Sequence, residues 1–291
     1  MRTDAILNCT PLVLTDEQRR FYFDNGYLLA ERVIDEAQIL KLREAMSELE
    51  SRAASEASLP TDFEFESSTS PRPTLRQVLC ASDHHGDIWR YASESCLADM
   101  ACDLLGPDVR FRESNVSFKS TGGRGFDWHQ DIVFFPSSNV SPIMALTFVE
   151  DVTHEMGPTM VIPGSHRGEI YDHYDEDGNW VGLVADHEKS RLPVERAVDI
   201  TGPAGSVLFT NSCILHAARP NTSGASRPMV IAGYNSADTV ALLDIPYRSK
   251  YRWKMLRGQE HGRVHSEPLQ MKMPPDWNAY AGVRIDNLYQ S

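Results

Sequence analysis

Cysteine is scarce and scattered. The 291 residues hold five, Cys9, Cys80, Cys96, Cys102 and Cys213, an odd number with no C-x-x-C pair. A disulfide framework and a thiolate zinc site are both excluded on that pattern. A reducing compartment is the simplest setting, and a cytoplasmic location is expected. Long apolar runs are also missing. No stretch approaches the ~18 residues of a membrane span, and the opening Met1–Asn8 lacks the apolar core of a signal peptide. Basic charge is in deficit, with 28 Lys+Arg against 41 Asp+Glu and a net charge of −13. The basic stripe of a nucleic-acid binder or of a protein docked on anionic lipid is absent. The expected partner is a small molecule, with no nucleic acid and no membrane, and the chain is expected to be a monomer or homodimer. Internal repeats and low-complexity segments are lacking. The remaining composition, 41% hydrophobic and 24% charged, is that of a globular protein with ample core.

The N-terminal part predicts helices. Thr15 with Gln18 three positions on forms a capping box, and Gly26 ends the helix near Asn25. Tyr27 to Ala30 follows as a short strand. Asp35 caps a second helix, with Ile39, Leu42, Met46 and Leu49 on one face, ending near Glu50. Residues 51–75 read as a loop or mobile flap. A further helix runs from about Ser95 to Leu105, and Gly106-Pro107 stops it. From Val109 the texture changes to short β-like runs at 109–119, 143–149, 159–162, 206–210, 213–217 and 228–234. Gly, Pro and Asn punctuate them, which predicts a sandwich or barrel. The last stretch, 241–291, is polar and aromatic and reads as a surface extension. One domain over 1–291 is expected: a helical part over about 14–106, a β core over about 109–240, and the extension.

Chemistry concentrates at Trp128-His129-Gln130-Asp131. On a strand, His129 and Asp131 share one face, because side chains alternate with a period of two. An imidazole and a carboxylate so placed can bind one metal ion, and His216, at the end of a β-like run, supplies a third ligand. Two His and one carboxylate leave open positions, the arrangement of non-haem Fe(II) oxygenases. Alone, His129 would read as a core histidine and Arg227 as a surface ion-pair partner. Together they differ. Pro220, Asn221, Ser223 and Gly224 form a turn after His216, so a hairpin would return Arg227 beside it. A guanidinium there suits the far carboxylate of a dicarboxylate chelating the metal at its other end.

These residues, with Gly157-Pro158-Thr159-Met160-Val161-Ile162-Pro163-Gly164-Ser165-His166-Arg167 and the opening Leu14-Thr15-Asp16-Glu17-Gln18 through Gly26-Tyr27, resemble the phytanoyl-CoA dioxygenase family of Fe(II)/2-oxoglutarate oxygenases. The middle segments are similar to ectoine-hydroxylase-like members. The resemblance implies a mainly β fold with flanking α-helices: a double-stranded β-helix, a cupin-like jelly roll. It implies that His129, Asp131 and His216 bind iron and that Arg227 pairs with 2-oxoglutarate, with Ser117, Lys119 and Thr210 as further cosubstrate contacts. The implied reaction consumes O2, turns 2-oxoglutarate into succinate and CO2, and oxidises an unactivated C–H bond, with ascorbate as a stimulant. Hydroxylation leads, and desaturation or cyclisation stay open. The intact Asp131 argues against halogenation, which needs the carboxylate position vacated. Natural-product or amino-acid-type metabolites are the expected substrates. Phe134, Arg124, Arg167, Trp180 and Tyr234 are the substrate-side residues. His166 reads as part of an architectural turn. The rival class is a cupin-like metal-dependent isomerase, hydrolase or binding protein that does not use dioxygen. Arg227 separates the two, since a dicarboxylate cosubstrate accounts for its placement.

Overall fold

Thr15 caps the first long helix as expected. Its hydroxyl accepts from the Gln18 amide and Gln18 returns to the Thr15 N–H, so two orphan donors are satisfied. The structure, a computed structural model, describes residues 3–56, 58–66, 74–243 and 248–275. The N-terminal layer comprises α1 (Thr3–Leu7), α2 (Asp16–Asn25), α3 (Glu36–Ser55), α4 (Ala81–His84), α5 (Gly86–Glu94) and α6 (Cys96–Leu105), with strands β1 (Tyr27–Ala30), β2 (Phe63–Phe65) and β3 (Leu75–Val78) between them. Gly26 closes α2 in the left-handed region at φ 78°, and a Cβ there would lie 2.4 Å from the His166 ring.

The β core follows as β4 (Val109–Lys119), β5 (Phe126–His129), β6 (Ile143–Phe148), β7 (Thr159–Val161), a short helix α7 (Asp186–Lys189), β8 (Val198–Ile200), β9 (Val207–Asn211), β10 (His216–Ala218), β11 (Arg227–Ser236) and β12 (Met255–Arg257). Two antiparallel sheets form. The major sheet has the order β1-β9-β6-β11-β4-β3-β2, with β12 also on β4, and the minor sheet is β5-β10-β7-β8. This is the double-stranded β-helix with helices on one side.

Alternation along the major strands decides what each face does. On β11, Val230, Ala232 and Tyr234 join Phe209 of β9 and Ala145 of β6 in the core shared with the helices. Met229 with Leu208 and Phe148 faces the minor sheet, packing on Val161 and Ile200. Both faces are covered, so β9 is buried at every residue.

Several expectations change. The second helix continues to Ser55 rather than ending near Glu50. The 51–75 stretch is not all loop. It contains the end of α3, β2 and the first residue of β3, while 67–73 lie outside the described residues. The 241–291 extension is not only a surface excursion, because β12 adds to the major sheet beside Val109 and Arg110. Residues 244–247 and 276–291 of it lie outside the described residues.

Candidate metal and cosubstrate site

The site begins with strand register. His129 closes β5 and His216 opens β10, and the two are direct antiparallel partners. Partnered residues share a face, so the imidazoles stand together with ring centroids 3.9 Å apart. Asp131 arrives differently from the expectation. It is not on the strand but opens a 3₁₀ turn, Asp131–Val133. Gln130 between them is still extended, at φ −130° and ψ 125°, so the alternation holds for one step beyond the strand. Asp131 Oδ1 lies 3.8 Å from His129 Nε2 and 3.6 Å from His216 Nε2. One ligand atom from each of the three lies within 4.8 Å of the others, the span one ion can bridge.

The neighbours orient these ligands. His129 Nδ1–H donates to the Asp127 carbonyl at 3.0 Å, and His216 Nδ1–H to the Ile214 carbonyl at 3.1 Å. A carbonyl only accepts, so both rings present a bare Nε2 inward. Burial, and then the neighbouring His216, hold His129 well below the usual imidazole range, which keeps it neutral and ready to ligate. Gln130 points to the opposite side, fully buried. It donates to the Cys213 carbonyl at 2.8 Å and accepts from the Tyr171 N–H at 2.9 Å, tying the turn to two loops.

Arg227 does not return on a hairpin beside His216. β10 belongs to the minor sheet and β11 to the major one, where Arg227 faces Lys119 of β4. The connection crosses from sheet to sheet, organised by buried Asn221, whose amide donates to the carbonyls of Lys119 at 3.0 Å and Ala225 at 2.8 Å. Arg227 therefore reaches the cavity from the opposite wall, and that cavity, about 820 Å³, contains the triad.

Arg227 is 6% exposed, and its Nε and Nη1 have no hydrogen-bond partner. Burial lowers its pKa to about 10, leaving it a cation at neutral pH. Lys119 Nζ donates to the Gly157 carbonyl at 3.4 Å and to that of Arg219. Burial first, and then Arg227, lower Lys119 to about 7. Thr210 Oγ1 is also buried and unpartnered. A buried arginine cation, a lysine that gains its charge as pH falls through about 7, and orphaned polar groups at one end of a cavity suit a carboxylate, since unpaired buried polar groups are costly. Three ligands that leave open positions on the metal suit a chelating oxo acid. The residues present thus fit both Fe(II) and 2-oxoglutarate.

Of the other predicted residues, Ser117, Arg124 and Phe134 line the cavity. Three do not. Tyr234 points to the helices and donates to the Ala92 carbonyl at 2.8 Å, because it has the opposite strand parity to Arg227. Arg167 lies outside on the end of α2, donating to the Phe23 carbonyl at 2.8 Å and pairing with Asp24 at 3.1 Å. Trp180 stands behind the wall, edge-on to Phe134 at 5.7 Å. His166 is architectural, as expected, with Nε2–H donating to the Phe23 carbonyl. Glu113 and Asn115 of β4 line the cavity and were missed. The signal was available, because Ser117 and Lys119 have the same parity.

Comparison with known proteins agrees with this geometry. The phytanoyl-CoA dioxygenase (PhyH) family pattern matches residues 22–229, and the chain belongs to that family. It is 28% identical over 277 residues to a probable alpha-ketoglutarate-dependent hypophosphite dioxygenase of Stutzerimonas stutzeri, covering 92% of this chain and 95% of that one. It is 27% identical over 221 residues to the 2-aminoethylphosphonate dioxygenase of an uncultured bacterium, covering 76% and 81%. Its fold matches that of EctD from S. alaskensis with bound Fe, at a TM-score of 0.68 and 22% identity over 90% of this chain and 91% of that one. Among the described residues no helix is long and apolar enough to cross a membrane.

Proposed function

We propose that this chain is an Fe(II)/2-oxoglutarate-dependent dioxygenase acting on a small molecule. One observation carries the reading: a His-Asp-His triad and a buried arginine with unsatisfied N–H groups line the same cavity from opposite walls. His129, Asp131 and His216 would hold the iron. The chemistry such an iron would supply, with 2-oxoglutarate and O2, is oxidative decarboxylation of the oxo acid to succinate and CO2 coupled to oxidation of a substrate C–H bond.

The protein's own part is placement. Arg227 forms ion-paired hydrogen bonds to the distal carboxylate of 2-oxoglutarate, which sets the direction from which the oxo acid chelates. Lys119, Ser117 and Thr210 complete that end. Phe134 and Phe135 wall the substrate side and exclude water. Arg124 lines the cavity from the loop between β4 and β5. The cavity is of the size that holds small ligands, here the cosubstrate beside a small substrate. The whole chain serves as one catalytic domain.

The test is anaerobic reconstitution with Fe(II), then 2-oxoglutarate, then O2 and ascorbate. A visible charge-transfer band on adding the oxo acid, followed by succinate release, is expected. Absence of both the band and succinate overturns the reading.

A further inference from the structure

Arg227 is on the major sheet and the triad is on the minor one, so an oxo acid held by both crosses between the sheets. It does not run along β4. On that strand Asn115 lies four residues from Lys119, the register partner of Arg227, about 13 Å at ~3.3 Å per residue. Gln77 of β3 pairs with Ser117, which makes it the diagonal neighbour of Asn115 on the same face. Diagonal neighbours sit roughly 7–8 Å apart, so one small group fits between their side chains. Gln77 and Asn115 both line the cavity.

Each of the two amides is turned by a group that plays a single role. The Cys80 backbone N–H only donates, and it bonds Asn115 Oδ1 at 3.1 Å. The Asn115 NH2 is therefore left for the cavity. The Glu64 carboxylate only accepts, and it takes a hydrogen bond from Gln77 Nε2. Gln77 therefore offers its carbonyl Oε1. Among the described residues neither Asn115 Nδ2 nor Gln77 Oε1 has a hydrogen-bond partner. The wall thus presents a donor and an acceptor side by side.

The carboxylates beside them are already matched. Glu64 also pairs with Arg76 at 2.5 Å, and Glu113, two residues along β4, pairs with Arg112 at 3.2 Å. A neutral group that both accepts and donates satisfies the two amides without adding a buried charge. The rest of this wall is apolar. Ile231 is the register partner of Asn115 and Leu146 that of Ile231, and both line the cavity on the face turned to the minor sheet.

We infer that Gln77 and Asn115 form a substrate-recognition pair that selects a neutral carboxamide or lactam on an apolar body. The ligand carbonyl accepts from Asn115 Nδ2 and the ligand N–H donates to Gln77 Oε1. The carbon skeleton lies on Ile231 and Leu146, facing the sheet that carries His129 and His216. This assignment rests on the dioxygenase reading only in placing the oxo acid between Arg227 and the triad.

The protein, loaded with Fe(II) and 2-oxoglutarate without oxygen, is titrated with 2-pyrrolidinone, cyclopentanone and pyrrolidinium chloride by saturation-transfer NMR. The three rings have one size. The lactam plays both roles, the ketone only accepts, and the pyrrolidinium only donates. Wild type is expected to bind the lactam roughly tenfold tighter than either other probe, the scale of one polar partner left unmade. Asn115→Asp keeps an oxygen for the Cys80 N–H but removes the donor, so it should weaken the lactam about tenfold and favour pyrrolidinium. Gln77→Met should erase the lead of the lactam over the ketone. In both variants 2-oxoglutarate affinity should move less than about twofold, as for distant sites. A wild type that binds the lactam no tighter than the other probes overturns the proposal, whatever the folding of the variants. So does lactam affinity unchanged in either variant, or a variant that loses 2-oxoglutarate instead, which would give the pair to the cosubstrate. A protein that prefers the lactam but binds no 2-oxoglutarate sinks the dioxygenase reading and supports the pair.

Discussion

Arg19 in the helical layer and Arg227 in the cavity are both removed from water, at 0% and 6% exposure. Their surroundings differ. Arg19 donates to the carbonyls of Asp103 at 3.1 Å, Cys9 at 3.0 Å and Ile6, and pairs with Asp16 at 2.9 Å. The Asp103 carboxylate in turn accepts the N–H groups of Leu12, Val13 and Leu14 at 2.7, 2.9 and 2.8 Å. That network is closed and fixes the N-terminal segment on α2 and α6. Arg227 keeps two donor nitrogens open. The Arg19–Asp103 network has its polar groups satisfied by the chain itself. The Arg227 end of the cavity keeps them unsatisfied and is stabilised by what binds.

The comparison breaks first at the metal. Asp131→Ala is expected to lower succinate formation by at least about 100-fold, since even outer-shell partners of a ligand are worth that much. Its melting temperature should hold, because the carboxylate supports no strand. Full activity in this variant would remove Asp131 from the ligand set.

The two arginines then separate by readout. Arg19→Met strands several buried carbonyls and should cost about 3–5 kcal/mol in urea denaturation. Arg227→Met removes an unpaired buried cation and should leave stability unchanged or higher. It should weaken 2-oxoglutarate binding about 100-fold, the loss of a bidentate ion-paired contact. Equal destabilisation by both would show that Arg227 is structural.

Lys119 sharpens the contrast through pH. Its pKa is lowered from 10.5 to about 7 in the fold. Between those values the unfolded chain binds the extra proton, so stability from this group rises with pH across that window and is lost as pH falls toward 7. Cosubstrate binding has the opposite sign, because a dianion favours the ammonium. 2-Oxoglutarate affinity should fall as pH rises through about 7, and Lys119→Met should flatten that profile. The smallest effects lie on the closed side. Tyr234→Phe loses one hydrogen bond and about 1 kcal/mol, with KM and kcat unchanged. Arg167→Ala, at an exposed pair, should stay within about 0.5 kcal/mol.

Local features were readable before folding. The Thr15 box, Gly26, the Asp35 cap and the strands at 109–119 and 143–148 follow from capping chemistry and β-rich runs. The triad was readable because His129 and Asp131 are two residues apart and His216 ends a β-like segment. Residues 81–94 were assigned no element from the sequence, although Ile88, Tyr91 and Ala92 share one helical face, and α4 and α5 form there on the back of β4. Parity distinguishes Tyr234 from Arg227 only once both are known to lie on one unbroken strand.

What the amino-acid sequence determined by itself is the ligand chemistry: two imidazoles, a carboxylate, an arginine, and the caps and turns that space them. These depend on neighbours a few residues away. The tertiary structure alone decided that Arg227 comes from the wall opposite His216, that two of its guanidinium nitrogens stay unpartnered, and that a bulge against Gly233 sets Arg112 beside Glu113. A turn after His216 looks the same whether it closes a hairpin or crosses between sheets. Only pairing with distant strands, and the burial that follows, determines which polar groups the chain satisfies and which it leaves for a ligand.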